Sequence, residues 1–501
     1  MVDDGAGPPT IAQLVTFLKQ DAISTYFTIH PNELSSPSFS PPSAWLPWWN
    51  WASSEDANGE PLWMLLWRYY TAPPYERAAQ DFKAIPMSVR VMVDAARQLR
   101  LSRISRVEEK GKHNGNTNGM SPKKMHEVER MTDFVSEMLS GLSVDGLKRI
   151  QHVVDVGAGQ VSAILTTYYL LRACEDSIAY LSRALRDQLR LSVLALDCSD
   201  VQTRGAAKKE QKKGHKSQDS EAVTSEGTLV YKTVNITSET LVRATTEWLE
   251  RVTTSEGSGR NAEVPVLLVA LHACGSLTLD ILRAIIKQYR AATSAMDAWT
   301  PRGAVIVGCC YNMLHAEDRV LRTDASDGLI LSANHLQLAA QTPDQWGTST
   351  SKMSETKLAI RKVAWRALLE GLLAQRAQTI GKPPSALSDK KRLGRLNDSV
   401  YTNWDTFLVT AQQRLDASFV GLGTTERDSV LESRISMFHV LRCLLGPVVE
   451  SFILLDRLEW LRNELHDTDL RVDLVNLFDQ ASGSGRNVAI VVKPAHSDCE
   501  E

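Results

Sequence analysis

Short apolar segments alternate with longer, helix-length segments between residues 151 and 308. Strands separated by helix-length connections pair in parallel, because the chain must cross back over the sheet before it forms the next strand. The alternation therefore predicts an α/β fold. It places strands at 152–156, 191–197, 229–234, 265–271 and 303–308.

The chain has 501 residues, which is more than one hydrophobic core usually holds. Four segments are predicted. They are a helical, tryptophan-rich region at 1–120, an α/β core at 121–330, a helical insertion or lid at 331–486, and a last core strand with a tail at 487–501. Within the core, the charged, low-complexity residues 202–228 are expected to form a flexible, solvated loop.

Tryptophans are concentrated in two short stretches of the first region, PPSAWLPWWNW at 41–51 and PLWMLLWRYY at 61–70. Such clusters either pack in a core or present a platform on which bases stack. No basic residue lies within the first stretch, so packing is the favoured interpretation.

Charge, cysteine content and apolar stretches together indicate the cellular compartment of the protein. The net charge is -3, and the seven cysteines form no CxxC pair. The first four residues do not resemble a signal peptide, and no uninterrupted apolar stretch reaches the roughly 18 residues of a membrane span. We expect a cytoplasmic or nuclear, and so intracellular, protein with no membrane partner.

The strand at 152–156 leads into an acidic, glycine-rich turn, DVGAGQ at 155–160. Gly157 and Gly159 allow the backbone to approach a ligand closely. Asp155 would repel the pyrophosphate of a nicotinamide cofactor, but it attracts the ammonium group of S-adenosylmethionine. Asp197 ends the next strand, where a carboxylate can accept both ribose hydroxyls. The pattern predicts S-adenosylmethionine as the cofactor.

The spacing within this motif is unusual. Gly157 and Asp197 are 40 residues apart, whereas about 20 is usual, and Val161 stands where a third glycine is expected. Removing residues 161–178 restores the usual spacing, so we infer an insertion there. This segment has two possible origins. It is either a genuine insertion or a retained intron. The second origin is considered because a splice-donor sequence would encode Val161-Ser162.

Further candidate residues follow the fourth and fifth strands. His272 lies where ligands bind in open parallel sheets, and its imidazole can act as a general base near neutral pH. Tyr311 is a candidate for stacking on a substrate, and Leu271 for lining the cofactor site. The alternative for His272 and Tyr311 is structural packing at the sheet edge.

A cleft is predicted between these strand ends and the helix that Ser121 and Pro122 begin. No metal is predicted, because the spacing of His272, Cys274, Cys309 and Cys310 matches no zinc signature; zinc binding by these four residues is the competing interpretation. A solvated helix start and buried thiols are the alternatives to the cleft itself. The residues predicted to line it are Lys123, Lys124, Glu127, Cys309 and Cys310.

The chain resembles the eukaryotic methyltransferase-like family that includes the ribosomal RNA adenine dimethylase domain-containing proteins. The resemblance spans most of residues 120–494, and LHACG with GCCY is its most specific part. The matching pieces are MSPKK at 120–124 with His126 and Glu127, DVGAGQ at 155–160, TRGAAK at 203–208, LHACG at 271–275, GCCY at 308–311, the helix at 447–458 and the strand at 487–491.

The resemblance implies a Rossmann-like class I methyltransferase sheet that uses S-adenosylmethionine, but it does not supply a substrate. Two departures from the family are visible: the interrupted glycine turn, and Ser276 where the family tends to carry aspartate. The motif used to methylate adenine amines is not visible either, because HACG stands in its place. We predict methyl transfer to RNA or protein. A catalytically silent, methyltransferase-like scaffold or binding protein is the alternative.

Overall fold

A computed structural model describes most of the chain. The residues it describes are 7–53, 59–105, 120–144, 149–158, 179–198, 227–255, 264–292, 299–315, 318, 329–379, 392–419, 425–480 and 483–495. The insertion at 161–178 and the loop residues 202–226 therefore lie outside the described part of the chain.

The described residues form a seven-stranded sheet in the order β3-β2-β1-β4-β5-β7-β6. Strands β1 to β5 pair in parallel, and β7 lies antiparallel between β5 and β6. The fold is α/β and Rossmann-like. The strands are β1 (His152–Val156), β2 (Ser192–Asp197), β3 (Leu229–Thr233), β4 (Pro265–Cys274), β5 (Thr300–Cys309), β6 (Leu470–Asn476) and β7 (Val488–Pro494).

The burial of each strand explains how well it could be predicted from the sequence. Every residue of β1 is buried, as expected for a central parallel strand covered on both faces. The edge strand β3 is only partly covered. β4 continues past the predicted 265–271 to Cys274, and β5 extends beyond the predicted 303–308 at both ends, because the residues there are less apolar.

The α-helices flank the sheet or form a separate helical region. Those of the described residues are α1 (Ile11–Leu18), α2 (Asp21–Thr28), α3 (Leu46–Trp51), α4 (Leu62–Thr71), α5 (Met87–Gln98), α6 (Pro122–Val144), α7 (Tyr180–Leu189), α8 (Ser238–Ser255), α9 (Leu277–Ala292), α10 (Ala333–Ala339), α11 (Thr350–Thr379), α12 (Trp404–Leu415) and α13 (Ser429–Glu464).

The start of α6 agrees with the sequence pattern. Pro122 is the first helical residue, and the Ser121 hydroxyl accepts a hydrogen bond from the Lys124 amide at 3.3 Å. This serine cap satisfies one of the amides that a helix leaves unpaired at its beginning. It fixes the point from which Lys123, Lys124 and Glu127 project.

The chain divides into two compact units. The helical unit contains Met1–Ser102 and Asp324–Phe452, and the sheet unit contains Arg103–Thr323 and Ile453–Glu501. In the helical unit Trp45 and Trp48 are almost completely buried, and Trp45 stacks on Tyr26 with ring centroids 5.1 Å apart. This confirms that the tryptophans form a packed core.

The predicted boundaries need two corrections. The regions 1–120 and 331–486 are not separate units, because the greater part of each belongs to one helical unit. The segment 331–486 also contains β6, which pairs with β7 in the sheet. β6 escaped prediction because it carries charged residues and is only partly buried, as an edge strand can be.

The helix α13 is much longer than the apolar segment 445–460 that indicated it. By length and composition alone it is suited to crossing a membrane, yet 94% of its most apolar window is buried inside the protein. Its first part belongs to the helical unit, and its last part, from Ile453, belongs to the sheet unit.

Candidate functional site

The carboxyl end of β1 carries a buried acid and a glycine turn. Asp155 is 2% exposed, and its carboxylate accepts a hydrogen bond from the Ser182 hydroxyl of α7 at 2.5 Å. Burial raises the pKa of Asp155 to about 7, Ser182 opposes the rise, and the charge of Asp197 adds to it. The carboxyl predicted to face the cofactor is thus held within the protein by α7.

Gly157 occupies a conformation that favours glycine, with φ of 79°. A Cβ built at this position would lie 3.3 Å from Leu277 Cδ2 and 3.7 Å from the His272 carbonyl oxygen. The Gly157 and Ala158 amides both donate to the Leu196 carbonyl, at 2.9 and 3.0 Å. The turn after β1 therefore lies against the ends of both neighbouring strands.

Asp197 is the last residue of β2 and directly follows the Leu196 carbonyl that anchors the turn. It is 7% exposed, and its own carbonyl accepts the Val234 amide at 2.8 Å. The structure thus brings Asp155, Gly157 and Asp197 to one region of the sheet edge, as the motif predicted. Gly159 lies outside the described residues.

The two ends of the undescribed segment lie side by side. The Ala179 amide donates to the Ala158 carbonyl at 3.1 Å, although 20 residues separate them in sequence. Without residues 161–178 this would be the hydrogen bond that closes a four-residue β-turn, with Gly159 and Gln160 as its central pair. This hydrogen bond places the end of the turn after β1 next to the residue that precedes α7.

A carboxylate–imidazole pair lies at the end of β4. His272 Nε2 is 3.2 Å from Oε2 of Glu127, which projects from α6. The Glu127 side chain is only 3% exposed, and its other oxygen lies 3.9 Å from Lys123 Nζ. The pairing between β4 and β5 shifts register between Ala270 and Ala273, and such irregularities redirect side chains beside active sites. His272, Glu127 and Lys123 thus form one connected group.

Three thiols meet where β4 and β5 end. Cys274 Sγ lies 3.2 Å from Cys309 Sγ and 3.6 Å from Cys310 Sγ. Hydrogen bonding from Cys274 and then Cys309 lowers the pKa of Cys310, and the charges of His272 and Arg486 act in the same direction. Hydrogen bonding with Cys274 and then Cys310 raises the pKa of Cys309. Cys310 therefore ionises more readily than Cys309.

Tyr311 follows these cysteines and is 2% exposed. The Arg486 guanidinium lies over its ring, 5.8 Å from the centroid. Burial lowers the pKa of the nearby Arg457, while Tyr311 and Asp318 oppose that change. The structure places Tyr311 inside a cationic packing arrangement, which agrees better with the alternative role of filling the sheet edge than with stacking on a substrate.

The remaining candidates occupy different positions. Lys124 Nζ lies 5.2 Å from the centroid of the Tyr180 ring at the start of α7. Leu271 is buried in the hydrophobic core of the sheet unit together with Leu267 and Val269. Its side chain therefore packs in the core.

Ser276, where the resembling family tends to carry aspartate, has a carboxylate partner. Its hydroxyl donates to the Asp318 carboxylate, which also accepts the His315 amide at 2.8 Å. A carboxylate is therefore hydrogen-bonded to the side chain at position 276.

A comparison with protein-family models identifies this region. Residues 123–317 match the model of a methyltransferase domain. The chain contains a methyltransferase domain. The match begins at Lys123 and includes Asp155, Asp197 and His272. No solved structure matches the chain.

Four residues near the candidate site were not predicted from the sequence: Ser182, Asp318, Arg457 and Arg486. Ser182 lies in the first turn of the helix after the interrupted motif, a position from which it can reach the preceding strand. Arg457 is the one basic residue in the apolar segment 445–460, and that was the available signal. No pattern in the sequence indicated Asp318.

Proposed function

We propose that this protein is an S-adenosylmethionine-dependent methyltransferase that acts on RNA or protein in the cytoplasm or nucleus. Membership of the family that includes the ribosomal RNA adenine dimethylase domain-containing proteins is part of the same proposal. The carrying observation is that the Glu127–His272 pair lies beside the glycine turn of a methyltransferase domain.

The residues on the β1 and β2 side fit this cofactor. Asp197 would hold the ribose hydroxyls. Gly157, which has a positive φ, leaves this point of the turn without a side chain. The pKa of Asp155 is raised to about 7. A cationic group close to this carboxyl would lower its pKa and favour the ionised form. When bound, S-adenosylmethionine supplies a methyl group activated by a sulfonium centre.

On the β4 side, the chain's own residues supply a base. With the Nε2–H of His272 directed at the Glu127 carboxylate, the basic nitrogen of the ring is Nδ1. Nδ1 takes the proton from the acceptor's oxygen, nitrogen or sulfur, and Glu127 stabilises the imidazolium that results. Glu127 is a positioning residue, because it acts through His272.

A silent scaffold is the second candidate. Two observations favour it: Asp155 is already hydrogen-bonded to Ser182, and the glycine motif is interrupted at Val161. A scaffold of this kind has no need for a carboxylate-oriented histidine, so Glu127–His272 favours the enzyme.

Isothermal titration of the full chain tests the proposal. S-adenosylmethionine and S-adenosylhomocysteine are each expected to bind, and NAD is expected not to bind. Tritium from labelled S-adenosylmethionine is then followed into total RNA and total protein in separate reactions. Binding of NAD in place of S-adenosylhomocysteine would overturn the cofactor assignment. Cofactor binding with incorporation into neither fraction would favour the scaffold.

A further inference from the structure

The three thiols at the ends of β4 and β5 are close enough to share one ion. Cys274 is the last residue of β4, Cys309 is the last residue of β5, and Cys310 follows it. All three sulfur atoms lie within 4.8 Å of one another. In a tetrahedral zinc site, zinc–sulfur bonds of about 2.3 Å put the sulfurs roughly 3.8 Å apart. The observed distances of 3.2 and 3.6 Å from Cys274 are near that value.

The backbone holds the thiols in this arrangement. Cys310 has φ of 49°, in the left-handed region that residues with side chains seldom adopt. Gly275 has φ of 54°, and its amide donates to the Cys309 carbonyl at 2.9 Å. A Cβ at Gly275 would come within 2.6 Å of the Met313 carbonyl oxygen. A residue in the left-handed region thus follows each strand, and the Gly275 amide ties the end of β4 to the end of β5.

The number of thiols distinguishes a disulfide from a metal site. Cys274 and Cys309 are register partners, so a disulfide between them is conceivable and would use two sulfurs. A third thiol placed within the same radius has no part in a disulfide, whereas it completes three of the four positions around a tetrahedral ion. Sulfur ligands select thiophilic ions such as zinc.

We propose that Cys274, Cys309 and Cys310 bind a zinc ion through three thiolates. The three thiol protons pass to solvent as the three zinc–sulfur bonds form. The fourth position of the ion is left to water or to an exogenous ligand. The ion would join the end of β4 to the end of β5 beside His272. The inference holds whichever cofactor the methyltransferase domain uses.

Cobalt substitution tests the site in the intact chain. The full-length protein is stripped with a chelator under reducing conditions and titrated with Co²⁺. We expect about one ion per chain, with the strong visible bands of tetrahedral cobalt and a near-ultraviolet sulfur-to-cobalt charge-transfer band. Zn²⁺ is then expected to displace the cobalt and abolish both features.

Matched cysteine variants locate the signal. Cys310→Ser is expected to lose the charge-transfer band, whereas Cys198→Ser, which removes an exposed thiol at the end of β2, keeps it. Circular dichroism checks that both variants are folded. If Cys310→Ser does not fold, the spectrum of the wild-type chain alone decides. Octahedral cobalt without charge transfer overturns the proposal, and so does an equal loss of the band in Cys198→Ser.

Discussion

The two halves of the sheet edge differ in their chemistry. The ends of β1 and β2 carry two buried carboxyls, Asp155 and Asp197, beside a glycine turn. The ends of β4 and β5 carry an imidazole and three thiols, with Arg486 and Arg457 close to Tyr311. The acidic half suits a cofactor with a positive charge and a ribose. The basic half suits an acceptor that must lose a proton.

The largest effect is expected from breaking the basic half. His272→Ala removes the base, and methyl transfer should fall by roughly a hundredfold or more. S-adenosylhomocysteine should still bind, because the acidic half is untouched. Tritium incorporation and titration measure the two quantities. His466→Ala, which changes an exposed histidine outside the site, is the control. A His272→Ala protein that unfolds or loses the cofactor would show that His272 has a structural role.

In the acidic half, the raised pKa of Asp155 makes stability depend on pH. The folded pKa of about 7 exceeds the ordinary 3.8, so the stabilising contribution is complete below 3.8 and is lost as the pH rises through 7. Between about pH 5 and about pH 8 the loss amounts to about 2 to 3 kcal/mol in the free energy of unfolding.

Urea unfolding of the wild type and of Asp155→Asn at both pH values measures this contribution. The variant should be the more stable protein at the higher pH, and its advantage should shrink on acidification. An advantage that does not change with pH would show that Asp155 titrates normally.

A smaller effect is expected from Asp197. Asp197→Ala should weaken S-adenosylhomocysteine binding by about 1–3 kcal/mol, the scale of a lost hydrogen bond to a charged group. Asp187→Ala, which changes a partly exposed aspartate on α7, should leave the affinity unchanged. Isothermal titration of the two variants distinguishes them. Equal affinities in folded proteins would remove Asp197 from the cofactor site.

The smallest effect is expected from deleting residues 161–178. Ala158 and Ala179 are already hydrogen-bonded, so the shortened chain can close a β-turn without moving either end. Each doubling of loop length costs only about 0.6 kcal/mol. The deletion should therefore raise the melting temperature by a few degrees and tighten S-adenosylmethionine binding. Weaker binding would make the segment a functional element, and sequencing of spliced transcripts reports independently on its origin.

Local patterns predicted the central sheet well. β1 and β2 were located within about one residue at each end, the usual uncertainty of such boundaries, because both are short, apolar and bounded by turn signals. β6 was missed because an edge strand with one exposed face lacks a continuous apolar run. Burial on both faces is what makes a strand visible in sequence.

The sequence predicted candidate residues, but it did not predict which of them contact one another. Glu127 and His272 were each predicted, but 145 positions separate them, and no spacing rule shows that they touch. The three cysteines matched no metal signature for the same reason, since the strand ends bring them together. The partners of Asp155 and Ser276 also come from distant segments.

The position of β7 bears on how the protein folds while it is synthesised. β5 ends at Cys309, but the strand that covers its outer edge begins at Val488, 179 residues later. At roughly 5–20 residues per second, the ribosome needs about ten to forty seconds to make that stretch. During this time an apolar edge has no strand beside it and is open to pairing with other nascent chains. Chains that stop before Val488 should therefore aggregate, and chaperones that shield strand edges should matter most in that interval.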